Sequence, residues 1–305
     1  LERWTKGMVC HQTNALSFYR SDWNAITTDP AWMTVPVDDH LVHRGDGVFE
    51  TLLCEEGAIY NLAAHLVRLR KSAAALHLEL PWSDSELRKR ILDTFRTSEA
   101  SRALGRVLVG RGPGGFGVDP AECPSASLYV IVYPAKPPFM ESHPDGARLI
   151  LSEVPPKSGG LATIKTCNYI PNALAKREAN QRGAHFALGV DADGFLTESA
   201  TENIAVIPEV NVLLIPPATH HLAGTTLARV SELMKKQGWT VKEEPIRPEQ
   251  LFEMKEVLIV GTTAYVTQAV ELDGKPLPKG PQAERWMNAL VRDVRTNPGI
   301  RTCLS

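Results

Sequence analysis

The chain has 305 residues, 43% hydrophobic and 22% charged, which is globular composition with ample material for a core and room for two domains. Its 33 basic and 35 acidic side chains nearly cancel and form no long block, which argues against nucleic acid or an anionic membrane surface as a partner. No stretch is apolar for ~18 residues, and no basic patch leads into an apolar run at the start, so a soluble, cytoplasmic protein is expected.

In chain order, residues 1–33, with Trp4, Trp23 and Trp32, read as irregular. "WMTVPVDDHLVHRGDGVFETLLC" reads as strand, turn, strand. Gly45 and Gly47 flank Asp46, then Val48, Glu50 and Leu52 fall on one strand face and Phe49, Thr51 and Leu53 on the other. Leu62, Leu66, Leu69, Ala73 and Leu76 recur at helical spacing, with Asn61 as the expected N-cap. Ser83 and Glu86 form a capping-box pattern for the next helix. "RVLVGRG" and "SLYVIVYP" read as buried strands around the glycine-rich loop "RGPGGFGVDP".

"PAKPPFMESHPDG" is rich in proline and lacks periodicity, so residues 135–146 are the expected linker between a small domain, 1–134, and a larger one, 147–305. Beyond it, "ARLILSEV", "FALGVD", "ENIAVI" and "VLLIP" read as strands. Two helices should end at Gly183 and Gly238, with a hairpin turn at Asp191–Gly194. "PEQLFEM" reads as a short helix and "EVLIVGTTAYVTQAVELDG" as strand, turn, strand. Separate strands and helices mixed this way predict α+β architecture. The five cysteines (Cys10, Cys54, Cys123, Cys167, Cys303) are scattered and include no Cys-x-x-Cys pair. They read as free thiols in a reducing compartment, with no metal site.

Four pieces stand in one order: Arg68 in "HLVRL", Lys165 in "TIKTCN", Glu198 in "GFLTESATENIAVI", and the turns "LAGTTLARV" and "VGTTAYV". Read singly, each has a plain explanation: a surface arginine, a lysine or glutamate at a strand end, threonines capping a helix. Taken together they resemble the fold-type IV (class IV) pyridoxal-phosphate enzymes. That group includes branched-chain and D-amino-acid aminotransferases, aminodeoxychorismate lyases and (R)-selective amine transaminases. The resemblance runs from Val35 to Gly274. It implies a two-domain fold, with a smaller N-terminal α/β sandwich and a larger C-terminal domain around a β-barrel-like core. It also implies a homodimer, pyridoxal 5′-phosphate as cofactor, and an amino donor and a 2-oxo acid as small-molecule partners.

The same resemblance assigns roles. Lys165 is the catalytic amine that joins the cofactor aldehyde. Its apolar approach (Leu161, Ile164) suits a lysine whose ammonium form is disfavoured by burial. Glu198 faces the pyridine nitrogen, since the pattern Glu-small-small-small-any-Asn places that role there and not on Glu202. Thr225, Thr226, Thr262 and Arg68 receive the phosphate. Tyr169 is a candidate for the phenolic oxygen, with core packing as the alternative.

For substrate, Phe49 and Phe116 are candidate wall residues, Thr263 a backbone donor to the α-carboxylate, and Arg44 and Arg111 candidate carboxylate partners. Phe116 stands where the lyases carry an arginine, which weakens charged-substrate readings. "GFGVDP" resembles the branched-chain enzymes, whereas "HRGDGVFET" resembles the D-amino-acid and lyase subgroups. The expectation is an aminotransferase acting by a ping-pong cycle on donors with small or apolar side chains. A lyase releasing pyruvate and 4-aminobenzoate, and a non-catalytic homologue, are the alternatives.

Overall fold

The computed structural model describes residues 14–304. The expectation for residues 1–13, Trp4 and Cys10 included, lies outside the described residues. The chain forms two compact units. The first takes in the chain up to Ala135, then Lys165–Asn168 and the stretch from Asn297; the second takes Lys136–Ile164 and Tyr169–Thr296.

In the first unit, β1 (Ser17–Arg20) and β2 (Ala25–Thr27) pair antiparallel where irregular chain was expected, turning through Asn24 at φ 44°. The strand expected after Trp32 is absent. In its place are a 3₁₀ turn (Pro30–Trp32) and a one-turn helix, α1 (His40–His43). Prolines 30 and 36 cannot donate to a ladder. Asp29 and Asp39 instead accept the N–H groups of Ala31 and Leu41, each at 2.9 Å. Then follow β3 (Gly47–Glu55), β4 (Ala58–Tyr60), α2 (Leu62–Ala75), α3 (Asp84–Thr97), β5 (Ala103–Gly110) and β6 (Ser127–Pro134).

These strands form an antiparallel sheet in the order β4-β3-β5-β6-β1-β2. Leu62, Leu66 and Leu69 of α2 and Leu87, Ile91 and Phe95 of α3 pack into its core with Val48, Leu52, Val107 and Val130. A Cβ on Gly105 would lie 2.4 Å from the Phe95 ring, so the glycine is what lets α3 settle on the sheet. The capping box of Ser83 and Glu86 is present. Asn61 does not cap: it is left-handed at φ 52°, makes no side-chain cap bond, and gives its N–H to Ile300 O at 2.8 Å.

The second unit comprises α4 (Phe139–Ser142), β7 (Ala147–Leu151), α5 (Ile170–Gln181), β8 (Phe186–Val190), β9 (Leu196–Ser199), β10 (Asn203–Ile207) and β11 (Val212–Ile215). It continues with α6 (Thr225–Lys236), β12 (Thr240–Glu243), a 3₁₀ segment (Pro248–Glu253), β13 (Glu256–Gly261), β14 (Tyr265–Leu272), β15 (Lys275–Pro276) and α7 (Gln282–Thr296). Strands β10-β13-β14-β7-β8-β9 return to β10, closing a six-strand barrel. One edge of β10 serves two partners: its start meets β9 at Asn203↔Glu198, and its end meets β11 at Val206↔Leu214.

The barrel is filled by alternate residues such as Leu149, Phe186, Leu188, Ile204, Val206 and Ile259. Their neighbours Ile150 and Ala187 pack outward with Ala179 of α5. Gly183 and Gly238 are left-handed at helix ends, as the sequence requires. Helix α7 has no counterpart among the elements expected from sequence. Its start is capped from afar, since the buried Glu256 carboxylate accepts the N–H groups of Gln282 (2.8 Å) and Ala283 (2.7 Å).

The chain then returns to the first unit, where β16 (Arg301–Cys303) adds to β4 as a seventh strand. The boundaries 1–134 and 147–305 therefore need correction at two places: 165–168 and the C-terminal strand belong with the N-terminal sheet.

Candidate active site

Lys165 lies in the short return that runs alongside β3. Its C=O accepts the Phe49 N–H at 3.0 Å, Thr166 bridges Val48, and Cys167 N–H donates to Gly47 O at 2.8 Å. From α2, the Ser72 hydroxyl oxygen accepts the Lys165 N–H at 3.0 Å. Both backbone polar groups of the lysine are thus held. The side chain is buried, at 8% exposure, and Nζ lies 4.7 Å from the Phe49 ring centroid. A lysine is almost never this buried as a mere surface charge. On the same ring, Arg106 also lies 4.7 Å from the centroid, so Phe49 sits against two cationic side chains.

His65, Arg68 and Ser72 recur at helical spacing and share one face of α2. Opposite them is Glu50, buried on β3. Arg68 grips its carboxylate through Nε and Nη2, both at 2.7 Å, and His65 Nδ1 approaches at 2.6 Å. Burial pushes Glu50 upward, but hydrogen bonds and charge from Arg68 and His65 outweigh it and hold the carboxyl at about 2. Burial pushes His65 down, with the Glu50 charge opposing, so His65 Nδ1–H is the donor. The sequence reading placed Glu50 on an apolar strand face and missed its role. A charge between Val48 and Leu52 was the available signal.

Arg44 and Arg111 are committed within the first unit. Arg111 forms a two-pronged ion pair with Asp46 (2.9 and 3.1 Å) and also donates to Leu76 O and His77 O, each at 2.8 Å. Arg44 is exposed but donates to the carbonyls of His43 (2.9 Å), Phe116 and Gly117 (3.0 Å). It fastens the glycine-rich loop to α1, aided by His40 Nε2 on Gly115 O at 2.8 Å. Phe116 projects from that loop with 67% exposure.

In the second unit, Glu198 stands on β9 at the barrel seam. Its Oε2 accepts the Leu222 N–H at 3.3 Å. Across the seam, Asn203 Nδ2 donates to Leu222 O at 2.9 Å and reaches His221 Nδ1 at 3.3 Å. Both ring nitrogens of His221 face backbone carbonyls, Nε2 at 2.8 Å from Pro216 O and Nδ1 at 2.9 Å from Leu222 O. Glu202 faces a different set of groups: it accepts from Thr201 N–H and hydroxyl, and burial raises its pKa.

The turn held by Glu198 and Asn203 leads into α6, whose first residues, Thr225 and Thr226, are buried. Gly224 is the N-cap and offers no side-chain cap bond. A Cβ there would fall 1.8 Å from Asn203 Oδ1, so with the asparagine in this position only glycine leaves the backbone its place. Helix N–H groups, a favourable dipole and two hydroxyls make a donor set that fits a phosphate dianion. Thr262 is half-buried and Thr263 exposed in the turn between β13 and β14. Tyr169 immediately precedes α5, with Lys157 Nζ 4.9 Å from its ring centroid. Three sets form among the residues nominated from sequence: Lys165, Phe49 and Arg68; Arg44 and Phe116; and Glu198 with the turn into Thr225 and Thr226, while Tyr169, Thr262 and Thr263 stand apart. Arg111 belongs to none of them.

The model of the amino-transferase class IV family matches residues 47–272. The chain is 32% identical over 292 residues to a chloroplastic D-amino-acid transaminase of Arabidopsis thaliana, covering 93% of this chain and 78% of the relative. It is 28% identical over 255 residues to a branched-chain-amino-acid aminotransferase of Salmonella typhimurium, with 81% and 82% covered. Among solved structures, the T.th. branched-chain amino acid aminotransferase complexed with N-(5′-phosphopyridoxyl)-L-glutamate superposes with a TM-score of 0.88. That pair shares 28% identity, over 95% of this chain and 99% of the other.

Proposed function

We propose that this chain, which belongs to the class IV aminotransferase family, moves an amino group between an amino acid with a small or apolar side chain and a 2-oxo acid in a ping-pong cycle. Its cofactor is pyridoxal 5′-phosphate. When bound, that group supplies an aldehyde that takes up the amino group and a ring that accepts electrons from the substrate α-carbon.

The chain's own residues do the rest. Lys165 anchors the cofactor and carries the α-proton once its amine is released. Glu198 holds a proton at the ring nitrogen. Thr225 and Thr226 at the start of α6, with Thr262 and Arg68, receive the phosphate. Tyr169 is assigned to the phenolic oxygen. The observation that carries this reading is Lys165 itself: a buried lysine whose N–H and C=O are fixed by Ser72 and Phe49.

The engagement of Arg111 and Arg44 within the first unit supports the substrate class. Arg111 is neutralised by Asp46, and Arg44 is consumed in holding the loop. Backbone N–H groups of Thr262 and Thr263 are then left to take the α-carboxylate, while Phe49 and Phe116 offer apolar surface to the side chain. Lys165→Ala should abolish both the visible absorbance of bound cofactor and amino transfer; a variant retaining either overturns the reading. A panel of L- and D-amino acids, scored by conversion of the bound cofactor to its aminated form, then fixes donor and handedness.

The reading includes a homodimer. Two hydrogen-bonded segments of the first unit expose Val37 (74%), Val42 (53%), Phe116 (67%) and Val118 (81%), an apolar surface suited to a second copy. Sedimentation should give twice the chain mass. It also includes a cytoplasmic location, supported by the free thiols of Cys54, Cys123, Cys167 and Cys303. Among the described residues no helix is long and apolar enough to cross a membrane.

A further inference from the structure

Lys157 is a cation of the second unit that no role assigned above uses. It follows two prolines in the loop after β7 and is half-buried against the Tyr169 ring. Among the described residues no hydrogen bond or ion pair receives its Nζ. A lysine held partly out of water without a direct partner costs stability, and such a group in a cleft points to function.

Lys157 shares the wall of one cavity with Glu198, Thr197 and Asn172. The cavity has room for water of ≈ 30 Å³, enough for an ordered molecule. Its wall supplies the polar partners such a water needs. Thr197 is 2% exposed and its hydroxyl has no protein partner, and Asn172 Oδ1 is likewise unmatched. The Asn172 amide is not free to turn, because Nδ2 donates to Ala200 O at 2.6 Å. The remaining charged neighbours are engaged elsewhere: His220 lies 3.3 Å from Asp191, and Glu178 accepts from Ser152 (2.7 Å) and pairs with Arg182 (3.0 Å).

We propose that Lys157 is a positioning residue for Glu198: water in this cavity links the Lys157 ammonium to the Glu198 carboxylate and fixes its charge and direction. The inference rests on the reading that Glu198 serves the cofactor's ring nitrogen. Burial lowers the Lys157 pKa and the Glu198 charge opposes that fall. The attraction is mutual, so the ammonium favours Glu198 as a carboxylate. The Tyr169 ring lies beside the ammonium, with Nζ 4.9 Å from its centroid.

The test uses holoenzyme loaded with ring-¹⁵N-labelled pyridoxal 5′-phosphate, comparing wild type with Lys157→Met, Lys157→Arg and Glu198→Gln. The ¹⁵N shift reports protonation at the ring nitrogen directly. The expected result is a shift toward the unprotonated position in Lys157→Met, with single-turnover amino transfer slowed about tenfold, as for other supporting groups one step from the chemistry. Lys157→Arg should restore both. Lys157→Gln, which keeps a polar head without charge, replaces Lys157→Met if that variant is insoluble.

If Glu198→Gln moves the ¹⁵N shift and neither neutral Lys157 variant does, the proposal is overturned while the role of Glu198 stands. If Glu198→Gln also leaves the shift unmoved, the underlying reading fails and the proposal falls with it.

Discussion

Glu198 and Asn203 face each other across the pairing that closes the barrel, and both hold Leu222: Glu198 accepts its N–H at 3.3 Å and Asn203 donates to its C=O at 2.9 Å. The carboxylate assigned to the cofactor ring and the turn assigned to its phosphate are therefore positioned by one short stretch of backbone. Asn203→Ala removes one of two side-chain partners of the Leu222 carbonyl, the other being His221 Nδ1 at 2.9 Å, at a cost of about 1 kcal/mol. We expect a lower melting temperature and weaker cofactor retention together, measured by thermal unfolding and by dialysis against cofactor-free buffer. A variant unchanged in both would remove Asn203 from this account.

Gly224→Ala tests the phosphate turn more locally. The new methyl group would need the space of Asn203 Oδ1, so either the turn or the asparagine must move. Cofactor affinity should drop at least tenfold by fluorescence titration, while the isolated fold persists by circular dichroism. Unaltered affinity would show that the phosphate sits elsewhere.

The buried Glu50–His65–Arg68 cluster predicts acid sensitivity in two stages. His65 is lowered from 6.5, so the unfolded chain binds a proton that the folded protein resists; stability should begin to fall as pH drops below about 6.5. Glu50 is lowered from 4.5 to about 2, so its contribution is complete above 4.5 and is lost as pH falls through about 2. Melting curves from pH 7.5 to 5 should slope downward in wild type and flatten in His65→Gln. Parallel slopes would mean that another group governs the range.

Phe116→Arg returns a guanidinium to an exposed place in the glycine-rich loop. Donors with a second carboxylate should gain about tenfold in kcat/KM relative to apolar donors, about 1.4 kcal/mol. Equal ratios before and after would remove Phe116 from substrate selection.

Most of the α+β pattern could be read before the structure, because it depends on local signals. Alternation marked β3, β-branched runs marked β5 and β6, leucine spacing marked α2, and glycines marked the ends of α5 and α6. What failed depends on distant residues. Asn61 has a capping side chain, yet the return of Ile300 fixes its backbone first. Helix α7 starts on a carboxylate 26 residues upstream, which no local pattern announces. The order of the motifs nominates Lys165 and Glu198. The contacts of Ser72 with Lys165, Asn203 with Leu222 and Glu50 with Arg68 had no such signal, because they act across 93, 19 and 18 residues. The Arg111–Asp46 pair was hidden for the same reason: only folding brings the two together.

The chain visits the N-terminal sheet three times: first to build it, then for four residues around Lys165, and last for β16. No single cut can therefore release either half intact. During synthesis the first sheet must wait for β16 to emerge before the edge of β4 is covered. Loss of β16 would thus be felt in the layer that the N-terminal strands build and that also carries the lysine.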